Sequence, residues 1–330
     1  MEKKNTLIYY IKSFAIISVI CAHCNSVPET ASDFCKNCSL ILQNMGTAGV
    51  GCFFVISGYL FHYKRGKCKD FFQKKFNGIV IPWIISATIV YLYVYLRKPP
   101  LTVAGWLNFV VGNGSYCYYL TVLLILYFIF YILPFMRTRA ALFICGLIGV
   151  ISSVWFYQIG SISPYLNVFN WIGFFAVGYY FQKNKELFEK IKVAFLKTRV
   201  IWLFAYLAVL VFQVFQSKGG SYWGGINSVF SWCGSLALIS FATFVPEKRN
   251  QFSTSILNLG KDSFAIYIWH MPIAGILAYL MSKGVLSYFV LTRPLFVALF
   301  MEILLLCAKR IILRLKLNKF AKFIGIDILG

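Results

Sequence analysis

Carboxylates are scarce in this chain. Asp and Glu together number 10 in 330 residues, against 32 Lys and Arg, and only 13% of the chain is charged. Soluble domains average roughly 25% charged residues, so a solvent-facing surface of the usual kind is excluded. Glu302 is the one acid placed within an apolar run. A His–carboxylate dyad within the first hydrophobic segment is therefore excluded, and any orienting group there must be Glu29 or Asp33 of an outer loop, or a neutral partner. The same shortage weakens a literal serine-hydrolase triad, and a proton-coupled transporter that relies on membrane-embedded acids or chains of histidines. Long polar segments are also missing. The longest, residues 25–42, 97–116, 183–199 and 246–263, fall short of the roughly 50 residues a folding unit needs. Residues 1–330 read as a single membrane domain with a short basic tail, without repeats or low-complexity linkers.

What is abundant is apolar surface, with 60% hydrophobic and 19% aromatic residues. Stretches of about the 17 to 25 residues that cross a hydrocarbon core occur at 7–24, 43–63, 79–96, 117–136, 140–157, 168–182, 200–216, 226–245, 264–282 and 286–307. They are too long and too uniformly apolar for barrel strands. The expected fold is all-α, a polytopic membrane bundle of about ten transmembrane helices. Lys3 and Lys4 before the first run imitate a signal peptide. Lys12 inside that run, and no small-residue cleavage pattern near Cys24, make it the first membrane helix instead.

The net charge of +22 does not point to nucleic acid, because the basic residues fall in short stretches between apolar runs rather than on one soluble face. They read as topology signals. With the N-terminus inside, only Lys36, Arg97, Lys98, Lys218 and Lys283 lie outside and only Lys12 and Arg293 lie within the membrane. All other Lys and Arg are internal, which places both termini in the cytoplasm. Residues Ile311 to Phe323 read as a partly amphipathic basic helix suited to anionic headgroups.

Chemistry must then come from helix-borne side chains and short loops. Lys12 and His23 are eleven residues apart, close to three helical turns, so they share a face roughly 16 Å apart along the axis. An ionisable group in lipid is a functional candidate by default. His23, at the outer end where water reaches it, is suited to proton transfer. His62 reads as a plain interfacial residue, whereas a buried structural role and a site role stay equally open for His270. Cys21, Cys24, Cys35 and Cys38 have zinc-like spacing around His23. Cys21 lies within an apolar run and the other cysteines are scattered along spans, so no metal is expected. A Cys35–Cys38 disulfide in the outer loop is a minority alternative. Arg293 either faces a substrate or snorkels outward. Most aromatics read as interfacial belts and filler, with Trp106, Tyr116 and Trp223 as candidates for glycan contact.

Several of these residues resemble one family. Ile11-Lys12-Ser13-Phe14 leading to His23, and the run GVGCFFVISGYLF from Gly49 to Phe61, are similar to the acyltransferase-3 family of bacterial integral-membrane O-acyltransferases. The similarity extends to Lys74 and Lys75 before Ile81-Pro82-Trp83, to Tyr118-Tyr119-Leu120 and to Tyr267-Ile268-Trp269-His270, and so covers nearly the whole chain. Its most specific element is a basic residue eleven positions before a histidine. Two departures stand out. Lys12 occupies the place where members usually carry arginine, which keeps the charge but loses the planar fork. Asn77 and Gly78 stand where arginines are usual near the proline.

The resemblance implies a membrane O-acetyltransferase of the bacterial cytoplasmic membrane. It would move an acyl group, acetyl by expectation, from cytoplasmic acetyl-CoA to a hydroxyl of a cell-surface or lipid-linked glycan, without metal. His23 would act as general base and Lys12 would stabilise charge on the thioester oxygen or the donor's phosphates. Lys74 and Lys75, with Arg65 and Lys69 nearby, would meet the CoA phosphates. Ser57, Tyr119, Trp269, His270 and Arg293 complete the candidates on the substrate side. Ser57 is conceivable as an acyl carrier but reads more simply as a small packing residue. The implied partners are membrane lipids, acyl-CoA, the glycan acceptor and, as an open alternative, a second copy of the chain. A transporter or flippase without acyl transfer is the rival class, although no internal symmetry supports it. A scaffold in polysaccharide assembly is the third.

Overall fold

A computed structural model describes residues 6–95, 101–217, 226–246, 250–283 and 287–328. Lys3, Lys4, Arg97, Lys98, Lys218, Trp223, Lys248 and Arg249, all used in the sequence reading, lie outside the described residues. The described chain is helical, with no strand among the described residues. Its elements are α1 (Thr6–His23), α2 (Asp33–Tyr59), α3 (Cys68–Lys75), a π-helical turn (Phe76–Val80), α4 (Ile81–Tyr95), α5 (Val103–Val111), α6 (Tyr118–Ile132) and α7 (Arg139–Trp155). There follow α8 (Val168–Lys183), α9 (Lys185–Ser217), α10 (Ile226–Phe241), α11 (Gln251–Lys261), α12 (Ser263–Ser282), α13 (Arg293–Arg314) and α14 (Asn318–Phe323).

Six helical stretches are long and apolar enough to cross a membrane: Thr6–His23, Asp33–Tyr59, Cys68–Val94, Lys185–Gln216, Asn227–Phe244 and Ser263–Leu280. Tyr118–Ile132 and Arg139–Trp155 are shorter apolar helices. α8 is 16 residues long. α13 has the length but carries Arg293, Glu302, Lys309 and Arg310.

α1 is the axis of the packing. It lies against α2, α10, α11, α12 and α13, and α2 in turn packs on α8. Small residues allow these approaches. A Cβ on Gly58 of α2 would lie 2.0 Å from the Phe175 carbonyl oxygen, and one on Gly178 of α8 would lie 1.8 Å from that of Val55. Where hydrocarbon replaces water, close backbone packing and interhelical hydrogen bonds take over from the hydrophobic drive. Accordingly, α1 is pinned by Ser18 donating to the Met45 carbonyl of α2 and by Ser13 donating to the Ile256 carbonyl of α11.

Segments read as loops prove to be structured. α2 begins at Asp33, ten residues before the expected start, because Ser32 caps it by accepting from the Cys35 amide. Cys35 and Cys38 are therefore one helical turn apart, buried and free, which removes the disulfide alternative. Thr102 caps α5 within the 97–116 segment, and a reciprocal Asn250–Ser253 capping box starts α11 within 246–263. α9 continues the polar 183–199 segment into the following span, helped by pairs such as Lys190–Glu186 at 2.7 Å. The tail is not one helix from Ile311 to Phe323. It breaks at Lys316, which has φ of 55°, and α14 turns back against α4, burying Ala321. At the junction between α11 and α12, Lys309 of α13 meets both Asp262 carboxylate oxygens at 2.6 and 2.7 Å.

Candidate active site

α1 carries Lys12 and His23 to two different chambers. Lys12 lines a cavity of about 220 Å³ together with Ser57 of α2, Lys75, Tyr119 and Tyr127 of α6, and Tyr267 of α12; it is called inner, and the His23 cleft outer, only for their order from the N-terminal to the C-terminal end of α1. The Lys75 ammonium lies 4.3 Å from the centre of the Tyr127 ring, and that of Lys12 lies 5.4 Å from the Tyr9 ring. The π-helical turn that follows Lys75, at Asn77 and Gly78, joins α3 to α4. Such turns are rare and concentrate at functional sites. None of the residues lining this cavity is acidic. Two cations in one chamber repel each other, so the chamber is complementary to an anion.

His23 lines a separate outer cleft with Cys24, Ser26, Ala274, Leu277, Ala278 and Arg293. Its free volume is about 10 Å³, at the threshold for a single water. The cleft is closed to anything the size of a sugar. Arg293, at the start of α13, is 2% exposed and donates to the Ser26 carbonyl. It faces this cleft and does not snorkel outward.

Between the chambers stands a layer of tyrosines. Tyr119 and Tyr267 lie 5.4 Å apart by ring centroids, Tyr267 and Tyr116 5.7 Å, and Tyr116 lies 5.5 Å from His270 and 6.3 Å from His23. The layer is held by hydrogen bonds that the sequence partly explains. Pro272 interrupts α12 and has no amide hydrogen. It therefore leaves the Ile268 carbonyl without its intrahelical donor. The Tyr116 hydroxyl supplies one at 3.2 Å, and Tyr267 donates in turn to the Tyr116 carbonyl. On the inner side Ser57 Oγ and Tyr119 Oη are 3.2 Å apart. The same imidazole of His23 that edges Tyr116 also packs on His270, with centroids 5.1 Å apart.

The remaining candidates divide. Lys74 lines a second inner pocket with His62, Lys64, Lys67, Asp70 and Tyr131. Arg65 and Lys69 are exposed and line neither inner chamber. On α3, Lys69 sits five residues before Lys74, about 140° around the helix, which turns it away. Trp269 donates its indole N–H to the Ile324 carbonyl at 2.9 Å and serves the returning tail, not the His23 cleft. Tyr116, a candidate for glycan contact, is buried at 6% exposure and forms part of the partition. Trp106 donates to Thr88 Oγ1 at 3.0 Å. Among the described residues no group of three or more metal-ligating side chains converges.

A helical membrane protein with a cationic inner chamber and a histidine-bearing outer cleft, joined through one helix, is the class this geometry defines. The chain belongs to the acyltransferase-3 family, whose acyltransferase domain matches residues 6–308. No curated protein matches it significantly, and neither does any solved structure.

Proposed function

We propose that the protein is a multi-pass O-acetyltransferase of the bacterial cytoplasmic membrane, with about ten spans and both termini inside. It moves an acetyl group from cytoplasmic acetyl-CoA to a hydroxyl of a cell-surface or lipid-linked glycan. The observation that carries this reading is the placement on α1, within an acyltransferase-family chain, of Lys12 in the cationic inner chamber and His23 in the outer cleft. Lys12 and Lys75 meet negative charge on the donor, either its phosphates or the developing oxyanion. Lys74 and the neighbouring loop lysines extend that field towards the cytoplasm, where the remaining phosphates of the donor sit.

His23 takes the proton from the acceptor hydroxyl as its oxygen attacks the thioester carbonyl. The C–S bond then breaks, and the proton passes to the departing thiolate. The cleft, closed to a sugar in this structure, widens to admit the acceptor hydroxyl, and Arg293 then orients the acceptor beside His23. The tyrosine layer keeps water from one side reaching the thioester on the other, so hydrolysis is suppressed until donor and acceptor are both bound.

The test is acetyl transfer by purified protein from labelled acetyl-CoA to a glycan acceptor. General base catalysis is worth about 10²- to 10⁴-fold, and His23→Ala should lose that much. Glycan flux without thioester turnover, unchanged by His23→Ala, would instead favour a transporter.

A further inference from the structure

His270 is buried to 0% exposure and its two ring nitrogens are in different situations. Nδ1 lies 2.7 Å from the Tyr267 carbonyl oxygen and 3.1 Å from that of Ile266. Carbonyl oxygens only accept, so Nδ1 carries a proton and donates it. In the neutral ring Nε2 is then a bare lone pair. Nε2 is buried and has no hydrogen-bond partner among the described residues. Leaving such an acceptor unmet is costly, so its retention needs a reason. The ring beside it is that of His23, inclined at 49° with centroids 5.1 Å apart. Ala274 and Ala278, one and two turns further along the same face of α12, line the cleft that holds His23. Their small side chains leave room for the imidazole.

We propose that His270 is the positioning residue for His23. Its Nε2 accepts the N–H of His23 through one bridging water, and so fixes which His23 nitrogen is left bare towards the acceptor hydroxyl. The inference rests on the acyl-transfer reading and supplies the neutral partner that a chain poor in carboxylates requires. When the bare nitrogen of His23 takes up the hydroxyl proton, the resulting imidazolium is held by its other N–H, through that water, on His270. His23 later returns the acquired proton to the thiolate, so His270 changes no protonation state. Among the described residues the other titratable or charged groups facing His23 are Cys24 just after α1, Tyr116 before α6 and Arg293 on α13, while Tyr267 of α12 faces His270.

Three variants of the full chain, reconstituted in lipid, separate this role from simple anchoring. His270→Gln places a carbonyl oxygen where Nε2 was. His270→Asn keeps only a donor where Nδ1 was, and His270→Ala keeps neither. The expected order is activity within about threefold of wild type for Gln, with Asn and Ala losing kcat by about 10- to 100-fold at little change in KM. That loss is the range found where a neighbour orients a ligating histidine. In ¹⁵N-histidine spectra His23 should be a single tautomer in the wild type and a mixture in His270→Ala. Activity retained by Asn and lost by Gln, or a His23 tautomer indifferent to His270→Ala, would overturn the proposal while leaving a dead His23→Ala enzyme, and thus the acyl-transfer reading, intact. Full transfer by His23→Ala would overturn both.

Discussion

Lys12 and Lys75 share one chamber without an acidic neighbour lining it, and that is the residue-scale basis for placing the donor there. If the pair binds the donor's negative charge, Lys12→Met should raise KM for acetyl-CoA by at least about tenfold, about the 1.4 kcal/mol expected for one weakened charge contact. Lys12→Arg should keep most of the affinity, since a donor with several phosphate oxygens suits either cation. Steady-state kinetics at varied acetyl-CoA checks both. Lys12 and His23 stood out in the sequence as candidates because ionisable groups inside an apolar run are costly and therefore conspicuous. The pairing of His23 with His270 was not legible, being closed by a tertiary contact across 247 positions. Pro272 gave a faint signal that a carbonyl near His270 had lost its donor, but nothing in the chain named Tyr116 as the replacement. Arg65 and Lys69, read as donor contacts, stand exposed and line neither chamber. Loop charge alone does not say which face of α3 turns inward.

At the scale of elements, the site depends on α1 being held in register by its neighbours, and the α2–α8 contact behind it is the tightest part of that frame. Replacing Gly178 with Val would drive a side chain into the Val55 carbonyl, where even a Cβ has only 1.8 Å. Overpacking of this kind costs about 1 to 3 kcal/mol, so the detergent-solubilised variant should melt several degrees lower. Gly146→Ala, where an added Cβ meets nothing within 4 Å, should melt like the wild type. Equal losses from both would mean that the α2–α8 approach does not decide stability there, since helix propensity alone would favour either replacement over glycine. Of the ten expected spans, six correspond to helices long and apolar enough to cross a membrane among the described residues, and those were readable from apolar length, because lipid leaves the backbone no alternative to a helix. Their ends and the connecting helices were less so. Ser32, Thr102 and the Asn250–Ser253 box start α2, α5 and α11 through caps, and hydropathy alone does not register a cap. The tail was misread as one amphipathic helix because its apolar residues were assigned to lipid. Ala321 and Ile326 are buried against the protein instead.

For the whole molecule, the excess of cation over anion falls out as an arrangement: positive loops beside the inner chambers, and a neutral partition of tyrosines before the outer cleft. Such a body is sided. If donor and acceptor enter from opposite faces through that partition, neither chamber suffices alone. The central claim is tested most directly in sealed proteoliposomes of known orientation, with radiolabelled acetyl-CoA supplied to one face and a glycan acceptor to the other. The account predicts labelled acceptor only when acetyl-CoA is on the face bearing Lys74 and the α3 loop, and none from His23→Ala vesicles of the same orientation. Equal labelling with acetyl-CoA on either face, or labelling that survives His23→Ala, would contradict it.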